Sequence, residues 1–263
     1  SYYRIGGAVS YVKSITNEKQ KAQLKAKHDK KIRINPDFLL NKATSVLVDP
    51  SSSWVAIAVA LCAVTGRRPT EIMKTAKFWI GDSTPENYIR FSGILKSRDR
   101  KYDDDFGEWD IPVFADPELI VKSLRKARRE LKAAEEKAQQ AGGKGNYWTG
   151  GYLRYVDQSG KERVASIFDA SLLHDVDHNV AVNQQYNGTL NDELRRWFNS
   201  ADIEMKSLRA VYTKMVWERE KEDSAETYES MTTRVLCYSK SSLSEAVKHY
   251  AAIELSNKTE RIE

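Results

Sequence analysis

Trp54 to Val64 reads WVAIAVALCAV, eleven residues without a charged or strongly polar side chain. A helix made of them has no face to give to water, so it must be buried on all sides within a core. The run is too short for a membrane span, which takes about 18 or more apolar residues, and no longer apolar run occurs elsewhere. Its punctuation is helical. Ser51-Ser52-Ser53 supplies an N-cap, Gly66 is placed to end the helix as a C′ glycine, and Pro69-Thr70-Glu71 opens another with proline in the first turn.

A core helix of this kind needs partners, and 263 residues provide one large domain or two small ones. Hydrophobic residues at 41% and charged residues at 30% fit a soluble globular chain and exclude a disordered one. Two cysteines, Cys62 and Cys237, are too few for a disulfide scaffold. Both lie in apolar helical runs and read as buried free thiols in a reducing cytoplasm. The opening SYYRIGGAVSYVK lacks signal-peptide features and an initiator Met, so the chain reads as a fragment of a longer protein. Lys+Arg 42 against Asp+Glu 37, net +5, suits a polyanionic partner without proving one.

Residues 17–33 are rich in Lys and Gln and read as a solvated helix and linker. An amphipathic helix follows from Pro36 to Val48. Phe78-Trp79-Ile80, Tyr88 to Phe91 and Trp109 to Val113 are short runs of strand formers separated by polar turns, which predicts a small antiparallel sheet. A helix dense in Lys, Arg, Glu and Ala runs from Pro117 to about Gln140, and Ala141-Gly142-Gly143-Lys144-Gly145 breaks it. Its composition predicts a solvated or DNA-flanking helix rather than a coiled-coil seam. A short hairpin is expected within 147–167, and helices over 190–200, 204–220, 224–237 and 242–256. The fold class is α+β, mostly α-helical, with a small antiparallel sheet. Residues 1–35 read as an N-terminal linker or helix. Residues 36–263 read as the main domain, with 117–146 a charged insertion.

Four local patterns carry chemistry. Thr65-Gly66-Arg67-Arg68-Pro69-Thr70-Glu71-Ile72 puts arginine where a buried helix ends and another begins, well placed to fork onto phosphate oxygens. Lys96, with Lys101 as the alternative, sits in a polar turn between two strands. Lys206-Ser207-Leu208-Arg209 opens an apolar helix. Val235-Leu236-Cys237-Tyr238-Ser239-Lys240 precedes Lys248-His249-Tyr250. Together these resemble the tyrosine recombinases. Their first box reads T-G-x-R-x-x-E-[IL], their lysine lies on a β-hairpin, their second box is H-x-x-R, and an L-G-H box precedes the nucleophilic tyrosine. The resemblance covers about residues 36–255. It implies Tyr250 as nucleophile, Arg68 and Arg209 as phosphate clamps, Lys96 as general acid, and Arg67, Lys101 and Lys240 as DNA-binding. Lys206 stands where the box has His. No histidine occupies the L-G-H position; Tyr238 or Lys240 takes its hydrogen bond, or the site does without it.

Lys206, the altered L-G-H box and the charged insertion point to the telomere resolvase (protelomerase) subgroup. That resemblance implies a 3′-phosphotyrosine intermediate, covalently closed hairpin ends, no metal and no other cofactor. It also implies a homodimer on inverted-repeat double-stranded DNA, with no membrane, in a bacterial or phage-infected cytoplasm beside the nucleoid. A site-specific recombinase or integrase is the nearest alternative, and a non-catalytic DNA-binding protein is the alternative of another class. A metal-dependent nuclease finds its best support in His174-Asp175-Val176-Asp177-His178, more simply read as a polar loop or cap before Asn183 to Gly188.

Overall fold

The computed structural model describes residues 32–94, 107–140, 153–156, 159–165, 178–237, 250 and 253–256. Helix α1 (Pro36–Val48) is capped by the Asn35 side chain, which accepts from Phe38 N–H at 3.0 Å. Helix α2 (Trp54–Thr65) is capped by Ser53, whose Oγ accepts from Ala56 N–H at 3.3 Å, and every residue of it is buried. It is the central rod on which α1 and the helices Pro117–Gln140, His178–Phe198 and Met205–Glu220 pack. Strands β2 (Lys77–Trp79), β3 (Tyr88–Ser92) and β4 (Trp109–Pro112) form the expected antiparallel sheet in the order β2-β3-β4. A second antiparallel pair, β5 (Leu153–Val156) with β6 (Glu162–Ala165), lies within the predicted hairpin. Helices α5 (Met205–Glu220) and α6 (Tyr228–Leu236) follow the predicted spans closely. Among the described residues, no helix is long and apolar enough to cross a membrane.

Three expectations are corrected. Helix α3 (Pro117–Gln140) is not merely solvated: Ile120, Leu124, Ala127 and Leu131 form a buried stripe at helical spacing that packs on the core, and Glu135 is buried with them. Helix α4 (His178–Phe198) begins twelve residues earlier than predicted and runs through Asn187-Gly188. Tertiary packing overrides the local cost of an internal glycine, about 1 kcal/mol. Tyr186 packs edge-to-face on Trp54, ring centres 5.4 Å apart, and its hydroxyl donates to buried Glu135. Residues 253–255, expected in a helix, form strand β7 (Ile253–Leu255). It pairs in parallel with β1 (Ile32–Ile34), and Ser256 N–H extends the ladder to Ile34 O at 3.0 Å. Ile32–Ile34, assigned from the sequence to the N-terminal linker, thus closes the main domain.

Gly66 turns the chain after α2. Its φ is +65°, and a Cβ there would lie 2.2 Å from the Tyr212 ring. Tyr212 is held in turn, its hydroxyl donating to Pro112 O at 2.7 Å. Gly66→Ala is therefore expected to cost about 1–3 kcal/mol from overpacking and roughly 1–2 more for the left-handed backbone. The urea unfolding midpoint measures it; an unchanged midpoint contradicts the packing described.

Candidate active site

The turn after α2 sends its two arginines in opposite directions. Arg68 faces Glu71: the Arg68 backbone N–H donates to Glu71 Oε2 at 2.8 Å, and its guanidinium to Oε1 at 3.1 Å. Its side chain keeps 19% exposure, against 1% for the carboxylate. Arg209, on the first turns of α5, reaches the same carboxylate, with Nη1 4.0 Å from Oε2 and the side chain 8% exposed. The first and second arginine boxes, 141 residues apart (209 − 68), therefore meet across one buried carboxylate. Burial disfavours its charge, but Arg209, Arg68 and Arg67 outweigh burial and hold Glu71 below the ordinary carboxylate range. Two guanidiniums on one carboxylate leave a net positive charge, which suits a phosphodiester.

Glu71 itself stands on a built platform. Residues Glu71–Thr75 form a single π-helical turn, closed by Ala76 N–H donating to Glu71 O at 2.7 Å. Arg128, from α3, donates to Glu71 O at 2.9 Å and to Ile72 O at 2.8 Å. Burial lowers the Arg128 guanidinium to about 10. The sequence offered no signal for Arg128, because its partners are backbone carbonyls. From the turn's other end Thr75 Oγ1 donates to Gly93 O at 2.5 Å, which ties the turn to the end of β3. Gly93 has φ +90°, and a Cβ there would lie 2.0 Å from Thr75 O.

Arg67 points inward and is 1% exposed. Its guanidinium donates to Val235 O, to Thr65 O at 3.2 Å and to Cys237 Sγ at 3.6 Å, and it stacks over the Phe91 ring at 4.7 Å. The expected DNA-binding role of Arg67 is thus corrected: the group is enclosed by protein. Cys237 follows α6 with φ +55°, the left-handed conformation that glycine adopts most easily. In the L-G-H comparison Cys237 stands at the glycine, and it has a backbone conformation that suits glycine. Burial pushes the Cys237 thiol up, against the opposing charge of Arg67.

Lys206 lies one turn before Arg209, with its side chain 64% exposed and its ammonium paired to Glu204. Tyr250 is helical and 7% exposed. Three residues on, β7 begins, and Lys214 of α5 donates to Ile253 O. The helix that carries Arg209 therefore also tethers the chain just beyond Tyr250. Lys96, Lys101, Tyr238 and Lys240 lie outside the described residues, as do residues 174–177 of the histidine-aspartate motif. Among the described residues, no group of three or more His, Cys, Asp or Glu is arranged to hold a metal ion.

Comparison with known proteins identifies the family. The family model described as the telomere resolvase ResT/TelK catalytic domain matches residues 30–252. The telomere resolvase ResT of Borreliella burgdorferi is 44% identical over 63 residues, 24% of this chain and 13% of that protein. Protelomerase TelK complexed with substrate DNA superposes with a TM-score of 0.66 at 16% identity, covering 95% of this chain and 43% of that one. Protelomerase TelA covalently complexed with substrate DNA gives 0.59 at 17% identity, covering 92% of this chain and 66% of that one. A TelA mutant complexed with a DNA hairpin product gives 0.60 at 17% identity. The chain thus spans about two fifths to two thirds of these structures. At such identities the superpositions establish the fold.

Proposed function

Because the chain belongs to the telomere resolvase ResT/TelK catalytic-domain family, we propose that it breaks and rejoins double-stranded DNA to leave covalently closed hairpin ends. The observation that carries the reading is the meeting of Arg68 and Arg209 on buried Glu71, a fixed positive cradle whose Arg209 lies on the helix that also holds the chain three residues beyond Tyr250. In the reaction, Tyr250 Oη gives up its proton to water and attacks a backbone phosphorus, and the 5′ oxygen leaves with a proton from Lys96, giving a 3′-phosphotyrosyl link. The 5′ hydroxyl of the opposite strand in the same duplex half then returns a proton to Lys96 and attacks that phosphorus, and the tyrosine leaves as phenolate and is reprotonated by water. The two ester exchanges are nearly isoenergetic, so ATP has no role. Arg68 and Arg209 stabilise the charge on the non-bridging oxygens. Lys206 lends a further positive charge at the histidine position, without the titration near neutral pH that His brings. Two such sites act on the two strands, as a homodimer on an inverted repeat, in the cytoplasm of a bacterium beside its nucleoid. A sharply folded hairpin strand costs deformation energy that protein–DNA contacts must offset.

Incubation with inverted-repeat DNA, with chelator present and ATP absent, followed by a denaturing gel, tests this. Closed hairpins are expected. Strand-exchange products alone would point to a recombinase, and the absence of any covalent adduct to a non-catalytic DNA-binding protein. Arg68→Ala and Arg209→Ala are each expected to slow single-turnover cleavage about 10²–10³-fold, the usual effect of removing one transition-state donor. Quenched-flow assays on a nicked substrate read this directly, and near-normal rates for both would remove the cradle from the mechanism.

A further inference from the structure

We propose that Arg67 is a positioning residue for DNA cleavage: its buried guanidinium holds the arginine turn, strand β3 and the end of α6 in one fixed arrangement. The inference rests on the strand-transfer reading above. Arg67 is among the largest fully enclosed side chains of the protein, in a place where an apolar residue would pack on Phe91 without burying a charge.

Only a planar fork can make the contacts that Arg67 makes in several directions. It donates to Thr65 O, where α2 ends, and to Val235 O, in the last turn of α6. Carbonyls in a last turn lack helical partners and carry the negative end of the helix dipole, so a cation is the fitting donor. It also donates to Cys237 Sγ, and its flat face covers Phe91 of β3. Each of the three segments leads to a group of the proposed chemistry. Arg68 is the next residue. Phe91 lies two residues before Gly93, which is bonded to the π-helical turn that carries Glu71. Cys237 closes α6, whose Tyr228 packs edge-to-face on Trp217 of α5, the helix that carries Arg209. Arg67 touches neither DNA nor reacting atoms on this geometry, so it acts through the placement of groups that do.

The test compares the full chain with Arg67→Lys and Arg67→Met. It uses formation of the covalent adduct on a nicked DNA at saturating DNA, DNA affinity, and thermal unfolding, with kinetics run well below every unfolding midpoint. Arg67→Met is expected to slow adduct formation about a hundredfold, the scale of an ångström-sized misplacement. DNA affinity should change by less than about threefold, which is ~0.6 kcal/mol. Arg67→Lys, with charge and one donor but no fork, is expected to recover about tenfold of the lost rate. Should the Met variant fail to fold, the Lys variant decides, with a rate about tenfold below the unsubstituted chain at unchanged affinity. A folded variant with an unaltered saturating rate overturns the proposal and leaves Arg67 a stability residue. A loss confined to DNA affinity also overturns it. Failure of the underlying reading is separately visible, because the unsubstituted chain then gives no adduct.

Discussion

Glu71→Ala is expected to destabilise the fold by about 3–5 kcal/mol, since removing one partner of a buried ion pair leaves the other uncompensated. Here the carboxylate is fully buried and faces Arg68 at 3.1 Å and Arg209 at 4.0 Å. Glu71→Gln keeps the shape and part of the hydrogen bonding, so it should lose less stability, yet cleavage should still fall because the guanidiniums lose the charge that orients them. Denaturant unfolding measures the first effect and single-turnover cleavage the second. The same carboxylate gives an acid signature. Its folded pKa lies below the ordinary 4.5. Its contribution is therefore complete above the unfolded value and is lost as pH falls through the folded one. The Gln variant should lack that part of the acid dependence, and identical acid profiles for the two proteins would contradict the assignment.

Tyr250→Phe carries the largest expected effect on activity. Removing the attacking oxygen should suppress adduct and hairpin formation by at least about 10⁴-fold, as loss of a covalent nucleophile does. DNA affinity should stay within about threefold, or ~0.6 kcal/mol. Because Tyr250 is only 7% exposed, the same substitution also tests the competing idea of a core tyrosine. In that case stability and binding would fall together while residual cleavage persisted in the folded fraction.

Much of the fold was legible because its signals are local. The apolar run of α2, the Ser53 cap and the Gly66 stop are read within a few residues of one another, and the structure has each in place. The strand runs of the three-stranded sheet are equally local. The parallel pairing of β1 with β7 was not legible, since it joins two three-residue segments from opposite ends of the chain, and neither has a pattern of its own. The extension of α4 through Gly188 was hidden because its stabilisation comes from Tyr186 against Trp54 and Glu135, which are distant in sequence.

The candidate site divides in the same way. The sequence singled out Arg68 and Arg209, and the structure has both facing one buried carboxylate, Glu71. It could not tell which of two adjacent arginines turns inward. That choice depends on Gly66 reversing the chain and on acceptors supplied by Val235 and Cys237. Arg128 lay unnoticed in a charged helix because its task is to hold the carbonyls of Glu71 and Ile72. Cys237 looked like a degraded glycine position, and the structure gives it φ +55°, a conformation that glycine adopts most easily.

The identity of the residue that bonds to DNA is the most direct test of the account. The chain is incubated with a nicked inverted-repeat substrate that traps the intermediate. The adduct is then digested with protease and nuclease, and the modified peptide is sequenced by mass spectrometry. A 3′-nucleotide phosphate on Tyr250 is the expected result. The same adduct on another tyrosine, or on none, would contradict it.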